Sequence, residues 1–282
     1  IARRIPTIPP SMTFEESLEL TKIYSISGLI EANMGLIKNR PFRAPHHSIS
    51  STGLAGGGRI PKPGEVTLAH HGVLFLDEFP EFPRDVLEFL RQPMEDEKIT
   101  IARVSATITY PAKFMLVAAM NPCPCGYYGD PFHECSCASY QIQRYMSKIS
   151  GPLIDRIDIQ VDAAPIKFAD LEKTEAVDSA TIRNRVEIAR NIQNKRYKED
   201  NIYCNSQLTP KLIGKYCKLN KRSKQLMKEA FERLRLSARA YGRILKVSRT
   251  IADLDQKPDI EENHLAEALR YRSIDKYYQN LR

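Results

Sequence analysis

A short apolar run, VLFL from Val73 to Leu76, is bounded by Gly72 on one side and by Asp77 and Glu78 on the other. Because neither face of this run carries a polar side chain, it is typical of a strand covered on both faces, as in a parallel sheet. The run therefore predicts an α/β fold. Ligands of open α/β sheets bind at the carboxyl ends of strands, where Asp77 would hold Mg²⁺ and Glu78 would polarise an attacking water, as in a Walker B motif. The alternative is a strand that simply ends in two solvated acids.

Other segments supply the remaining elements of such a fold. Apolar residues at helical spacing predict helices over residues 12–36 and 83–95. Alternating apolar residues predict a hairpin from Ile99 to Tyr110 with its turn near Arg103. Two more strands are predicted, a buried one from Phe114 to Met120 and a sheet-closing one from Arg156 to Ala163.

Beyond Pro165 the apolar residues follow helical spacing only, for example at Ile182, Val186 and Ala189. The chain is therefore interpreted as an α/β core followed by an all-helical domain. The expected ranges are residues 1–165 for the core, 166–200 for a linker and helix, and 201–282 for the helical domain.

Composition narrows the classes of protein. No stretch approaches the roughly 18 consecutive apolar residues of a membrane helix, and the first residues do not resemble a secretory signal. We therefore expect a cytoplasmic protein that does not enter a membrane. The net charge of +8 is concentrated in residues 181–282, where Lys and Arg outnumber Asp and Glu. A basic surface favours nucleic acid, although helical domains often carry solvated basic residues that bind nothing.

Four of the six cysteines form two CxC pairs, Cys123 with Cys125 and Cys135 with Cys137. Such clustering suits a reduced compartment and a metal better than a disulfide framework. Four thiolates would close a tetrahedral zinc site, which would be structural because it leaves no open position for water. Unligated thiols are the alternative, since CxxC spacing is more usual, and His133 is an alternative ligand.

Several longer motifs together carry a resemblance to a known family. In chain order they are PFRAPHHSIS, GLAGGG, PGEVTLAHHGVLFLDEFPEF, ITIARVSATITYPAKFMLVAAMNPCPCG and SGPLIDRIDI. They closely resemble the magnesium-chelatase-like AAA+ ATPases, specifically the competence-associated DNA-processing branch, and the resemblance covers nearly the whole chain. It implies an AAA+ parallel-sheet core with a C-terminal helical lid domain, ATP and Mg²⁺ as cofactors, and assembly into a hexameric ring.

The resemblance implies roles for residues at the ends of two strands. Asp77 would be the acid associated with Mg²⁺, and Glu78 would be the base that orients water. Asn121 matches the sensor that holds the same water or the γ-phosphate. A turn residue before Pro122 is the alternative interpretation of Asn121.

Three arginines match family positions that contact nucleotide. Arg156 matches the arginine finger, which reaches the γ-phosphate held by the adjacent subunit. The alternative is a surface arginine paired with Asp155 or Asp158. Arg239 matches the lid arginine that senses nucleotide, with Arg243 as the competing assignment.

The chain departs from the family at the phosphate cradle. It contains no GxxxxGK[ST] loop, because Gly214 and Lys215 are followed by Tyr216 and no glycine lies five residues earlier. In the family this loop directly precedes the segment that resembles IARRIPTIPP. We therefore expect the chain to begin just after the loop and to bind ATP weakly or not at all.

Two segments resemble family elements that point into the pore of related motors: the glycine-rich stretch from Gly53 to Gly64 and the hairpin from Ile99 to Tyr110. Their basic residues would track phosphates without reading sequence, and ordinary loop charges are the alternative. These residues are Arg59, Lys62, Lys98 and Arg103.

Two histidine pairs, His46 with His47 and His70 with His71, suggest metal binding at first sight. Adjacent residues of an extended segment point to opposite faces, so we expect neither pair to share an ion. We interpret them as packing or hydrogen-bonding residues.

The sequence therefore predicts part of a hexameric ATP-dependent DNA motor, acting in branch migration or strand exchange during DNA uptake. One alternative is a chelatase-type ATPase that remodels a protein partner or inserts a metal. The other is a nonhydrolytic DNA-binding module.

Overall fold

The computed structural model describes residues 2–30, 35–58, 61–102, 107–163, 177–234 and 236–272. Within these residues the chain divides into two compact units, the first ending at Ile154 and the second beginning at Asp155. The first unit contains the described strands and short helices, and the second is helical. The α/β core and the C-terminal helical region predicted from the sequence are both present.

The strands of the first unit are, in chain order, β1 (Phe42–Arg43), β2 (Gly56–Gly57), β3 (Lys62–Pro63), β4 (Val73–Leu76), β5 (Lys98–Ala102), β6 (Thr107–Pro111) and β7 (Met115–Ala118). Three of them form a parallel sheet in the order β1-β4-β7, in which Leu76 pairs with Ala118. The prediction of β4 is confirmed, with the bounds expected.

The prediction that Phe114 to Met120 forms a buried strand is wrong in part. The strand is shorter, and Met115 is 49% exposed. Among the described residues, β7 has a neighbouring strand on one side only.

The helices of the first unit are α1 (Phe14–Ile26), α2 (Ser51–Ala55), α3 (Glu65–Leu68), α4 (Arg84–Phe89), α5 (Arg91–Asp96), α6 (Ser139–Met146) and α7 (Gly151–Ile154). Helix α1 begins at a capping box between Thr13 and Glu16 and ends before Gly28, whose φ is 71°. It is therefore shorter than the predicted helix over residues 12–36. The helix predicted over residues 83–95 is two helices, because Pro93 has no N–H to donate to the preceding turn.

The predicted hairpin is present as the antiparallel pair of β5 and β6, with Ile99 opposite Tyr110. Ile99, Ile101 and Tyr110 are buried, as the alternating pattern predicts. The predicted turn near Arg103 lies outside the described residues.

The helices of the second unit are α8 (Ser179–Arg196), α9 (Pro210–Tyr216), α10 (Lys221–Arg233), α11 (Ala238–Leu254) and α12 (Glu262–Arg270). Their predicted apolar faces meet in one core that includes Met227, Ile244 and Leu265. Asp253 is wholly buried in this unit and pairs with half-buried Arg196, whose Nη2 lies 2.5 Å from Asp253 Oδ1. None of the described helices combines the length and apolar character needed to cross a bilayer.

The prediction that Arg156 to Ala163 closes the sheet is wrong. In this segment only Gln160 forms a β-bridge, with Arg272 of the second unit. Ile159 and Val161 are 52% and 70% exposed, whereas Gln160 is buried. Arg156 and Gln160 therefore face inward in place of the apolar side chains, and the Gln160 N–H donates to the carbonyl of Tyr271.

Candidate functional site

Two carboxylates follow β4 at the carboxyl end of the sheet. Asp77 and Glu78 are exposed, whereas Leu76 before them and Phe79 after them are buried. Glu78 adopts a left-handed conformation with φ 53°, and its N–H donates to Asp77 Oδ1 over 3.0 Å. The chain therefore turns sharply between two buried anchors and leaves both carboxylates in solvent, within reach of a ligand.

A histidine that follows β1 contacts the second of these carboxylates. His47 Nδ1 lies 2.9 Å from Glu78 Oε2, and the His47 ring packs edge-on against buried Phe82. The sequence placed His47 among packing or hydrogen-bonding residues and did not connect it with the acids. The missing signal was the parallel pairing of β1 with β4, which brings the segments after both strands to the same edge.

Asn121 reaches the same edge from β7. The N–H of Phe79 donates to the carbonyl of Ala119 over 2.9 Å, which ties the exits of β4 and β7 together. Asn121 is exposed, and its backbone hydrogen-bonds Tyr145 of α6. Burial raises the pKa of Tyr145 to about 12, so this hydroxyl remains protonated at neutral pH. The sheet thus gathers two carboxylates, an imidazole and a carboxamide at one edge.

The four clustered cysteines lie directly after Asn121. Their sulfur atoms all lie within 4.8 Å of one another, and Cys123 is wholly buried. His133, the alternative ligand, is outside the cluster; its Nδ1 lies 3.5 Å from Asp130 Oδ1 and its side chain is 64% exposed. The loop between Cys125 and Cys135 therefore folds back and brings the second CxC pair next to the first.

The second histidine pair converges on one acid. His70 Nε2 and His71 Nε2 lie 3.2 and 2.9 Å from Glu19 Oε2. The expectation that the two side chains point to opposite faces is wrong, because His71 is left-handed with φ 55°. The hydrogen-bonding interpretation is confirmed. His70 Nδ1 accepts the N–H of Lys113, so its proton is on Nε2, where a metal would need a lone pair.

Of the four basic residues expected near a pore, Lys62 and Lys98 are described and exposed. Lys62 belongs to the small hairpin of β2 and β3, and Lys98 lies at the base of the β5–β6 hairpin. The two hairpins touch, because the Tyr110 hydroxyl donates to the carbonyl of Pro61 over 2.9 Å. Arg59 and Arg103 lie outside the described residues.

The three candidate arginines belong to the second unit. Arg156 is only 5% exposed, which differs from the alternative of a surface arginine. Arg243 Nη1 donates to Asp158 Oδ1 over 2.6 Å. Arg239 is exposed in the first turn of α11.

Comparisons with known proteins agree with the fold and with the order of the motifs. The family model for magnesium chelatase, subunit ChlI, matches residues 1–171, and the model for its C-terminal part matches residues 169–272. Competence protein ComM of Haemophilus influenzae is 46% identical over the whole chain, and a protein named YifB of Escherichia coli is 44% identical over 98% of it. The chain spans 54% of the length of each of these relatives. Because one family model covers more than half of the chain and a second covers most of the rest, the chain belongs to the magnesium-chelatase-like AAA+ family, in the group that includes ComM.

Proposed function

We propose that this chain is part of an ATP-dependent DNA motor that works as a hexameric ring in the cytoplasm. The observation that carries the proposal is the meeting of Asp77, Glu78 and Asn121 at one edge of a parallel sheet. Hydrolysis of a phosphoanhydride needs an acid for the metal, a base for the water and a polar group that positions both. The ends of two strands, β4 and β7, supply these three groups.

The residues present fit Mg²⁺, because the carboxylates of Asp77 and Glu78 are exposed oxygen donors of the kind that this ion prefers. They do not fit the triphosphate by themselves, since the chain contains no GxxxxGK[ST] loop. Bound Mg²⁺ would supply charge neutralisation at the phosphates.

In this proposal Glu78 accepts a proton from the attacking water at a carboxylate oxygen, and Asn121 orients that water. His47 Nδ1 contacts Glu78 Oε2, so the other carboxylate oxygen of Glu78, Oε1, is the one left to face the water.

Two arginine roles complete the proposal. Arg239, which is exposed, is proposed as the lid arginine, and Arg243, which donates to Asp158, is the competing assignment. The finger role of Arg156 needs its side chain to leave a buried site when a ring assembles. Stabilisation of transition-state charge by such arginines is the general role of these positions in phosphoryl transfer.

DNA is proposed as the client because ComM carries the name of a competence protein and because residues 181–282 are basic. Lys62 and Lys98, together with Arg59 and Arg103, would contact phosphates from the pore. The contact between Tyr110 and Pro61 supports a joint movement of the two hairpins.

The test is ATP hydrolysis by protein extended upstream of Ile1 through any phosphate-binding loop, with and without single-stranded and forked DNA. Glu78→Gln should lower turnover by roughly 10²- to 10⁴-fold, as expected for loss of a general base. The matched control is Glu81→Gln, since Glu81 is a nearby acid held by Lys148 at 2.9 Å. Its turnover should stay close to that of the unmodified protein.

The magnesium chelatase family model favours a second candidate, a chelatase-type ATPase with a protein or metal client. Hydrolysis that Glu78→Gln abolishes but DNA does not stimulate would support this candidate over the motor. DNA binding without hydrolysis would reject both and leave the nonhydrolytic DNA-binding module.

A further inference from the structure

The four cysteines after β7 are arranged like the ligands of one metal ion. Cys123 Sγ lies 3.3 Å from Cys125 Sγ and 3.7 Å from Cys135 Sγ, and Cys125 Sγ lies 3.5 Å from Cys135 Sγ. Cys137 belongs to the same cluster, in which all four sulfur atoms lie within 4.8 Å of one another. Disulfide sulfurs are about 2.05 Å apart, so the structure holds four free thiols.

The distances between the sulfur atoms indicate which kind of metal centre the four cysteines can form. Four sulfurs at about 2.3 Å from one zinc ion form a tetrahedron whose corners are about 3.8 Å apart. The observed separations are close to this value. A cluster of several metal ions would hold its cysteine ligands farther apart, because the ions themselves occupy the middle.

Backbone groups also point at the sulfurs. The N–H groups of Tyr127 and of Cys137 hydrogen-bond the sulfurs of Cys125 and Cys135, and the N–H of Cys125 hydrogen-bonds Cys137. Such hydrogen bonds disperse negative charge on thiolates and fix ligands in place. Four thiols crowded together without an ion would gain little from this arrangement.

We propose that Cys123, Cys125, Cys135 and Cys137 bind one zinc ion. The site is structural, since four protein ligands close the coordination sphere and leave no position for a substrate or water. Zinc holds the two ends of an otherwise irregular loop together and replaces the hydrophobic core that such a short loop lacks.

The position of the site gives it a second role, and this part rests on the proposed function. Asn121 is separated from the first ligand, Cys123, by Pro122 alone. The backbone of Asn121 hydrogen-bonds Tyr145, and its side chain packs near Gly126 of the same loop. The zinc ligands are therefore positioning residues that hold Asn121 at the edge of the sheet.

The first experiment is metal analysis of purified protein by mass spectrometry, together with the absorption spectrum after exchange with Co²⁺. We expect about one zinc per chain and the intense spectrum of tetrahedral cobalt with four thiolates. Cys125→Ser and Cys137→Ser, at partly exposed positions, should lose most of the metal. Cys204→Ser is the matched control, because Cys204 lies outside the cluster and should leave the zinc content unchanged.

The proposal is overturned by metal-free protein with four reactive thiols, by disulfides between these cysteines, by bound iron, or by loss of zinc in Cys204→Ser. If Cys125→Ser fails to fold, the cobalt spectrum of the unmodified protein still shows whether four thiolates bind one metal ion. ATP hydrolysis is measured separately from zinc content, in the protein extended upstream of Ile1. Full zinc without hydrolysis would reject the motor and keep the metal site, and full hydrolysis in a zinc-free variant would reject the positioning of Asn121.

Discussion

Lowering the pH from 7 to 5 should destabilise the first unit through the imidazole of His70. Burial lowers the pKa of His70 to about 4 from its ordinary value of 6.5, and the charge of His71 adds to this effect. In the unfolded chain this imidazole is therefore protonated as the pH falls through about 6.5, whereas in the folded chain it stays neutral until about pH 4. Between these two pH values the free energy of unfolding decreases as the pH falls. With these two values, the loss between pH 7 and pH 5 is about 2 kcal/mol.

The contacts of His70 explain why protonation opposes folding. Its side chain is wholly buried, and its Nδ1 accepts the N–H of Lys113, so a proton on Nδ1 would break that bond. Glu19 changes the stability of the fold at a lower pH than His70 does. The hydrogen bond from His71 holds the pKa of Glu19 below its ordinary 4.5, so its contribution is lost only when the pH falls further.

The assay is urea unfolding followed by circular dichroism at pH 7 and pH 5, with hydrogen exchange of the Lys113 amide as a local measurement. His70→Gln removes the titrating ring and keeps an acceptor for Lys113. Its loss of stability between the two pH values should be smaller than that of the unmodified protein by about 2 kcal/mol. His46→Gln is the control, because His46 is exposed. Equal losses in His70→Gln and the unmodified protein would refute the reasoning.

Two further substitutions test the packing of each unit. Asp253→Ala should cost about 3–5 kcal/mol of unfolding free energy, because it removes the buried carboxylate that pairs with buried Arg249 and with Arg196; an unchanged urea midpoint would contradict this. Gly72→Ala should cost about 1–3 kcal/mol, because a Cβ there would lie 2.2 Å from the carbonyl oxygen of Pro41. Gly151→Ala, with nothing within 4 Å of the added carbon, is the control for thermal unfolding.

The elements that could be predicted from the sequence are those whose periodicity reflects their burial. β4 reads as apolar throughout because three of its four residues are buried. Helix α11 reads as helical because residues such as Ile244 and Ile251 share its buried face. The segment from Arg156 to Ala163 has the alternation of a strand, but its apolar side is exposed. Periodicity gives a possible face and does not say whether another element covers it.

The candidate site was predictable to the extent that parallel strands end at one edge. Asp77, Glu78 and Asn121 follow β4 and β7, whose parallel pairing brings them to one edge, and the sequence linked Asn121 to the two acids through the family resemblance. His47 was not connected with Glu78, because β1 contains only Phe42 and Arg43 and gives no recognisable strand pattern. A two-residue strand is defined by its partner, and the partner is known only from the fold.

Residues with left-handed backbone account for the remaining difference between the side-chain directions expected from the sequence and those in the structure. β4 is flanked by His71 with φ 55° and Glu78 with φ 53°, and neither is glycine. The rule that neighbouring side chains alternate applies to extended backbone, so it fails for His70 and His71, whose rings both reach Glu19. The same conformation at Glu78 turns its carboxylate toward His47.

Left-handed backbone costs about 1–3 kcal/mol at a residue other than glycine and persists only where surrounding contacts impose it. At His71 those contacts are Glu19 and the carbonyl of Lys113, so this position is explained by folding. At Glu78 the N–H of Glu81 donates to the backbone carbonyl over 2.7 Å and His47 contacts the carboxylate, so local contacts hold this turn as well. The side chain of Glu78 is 59% exposed and lies outside the buried core, and Glu78 is therefore the residue whose substitution should separate activity from stability.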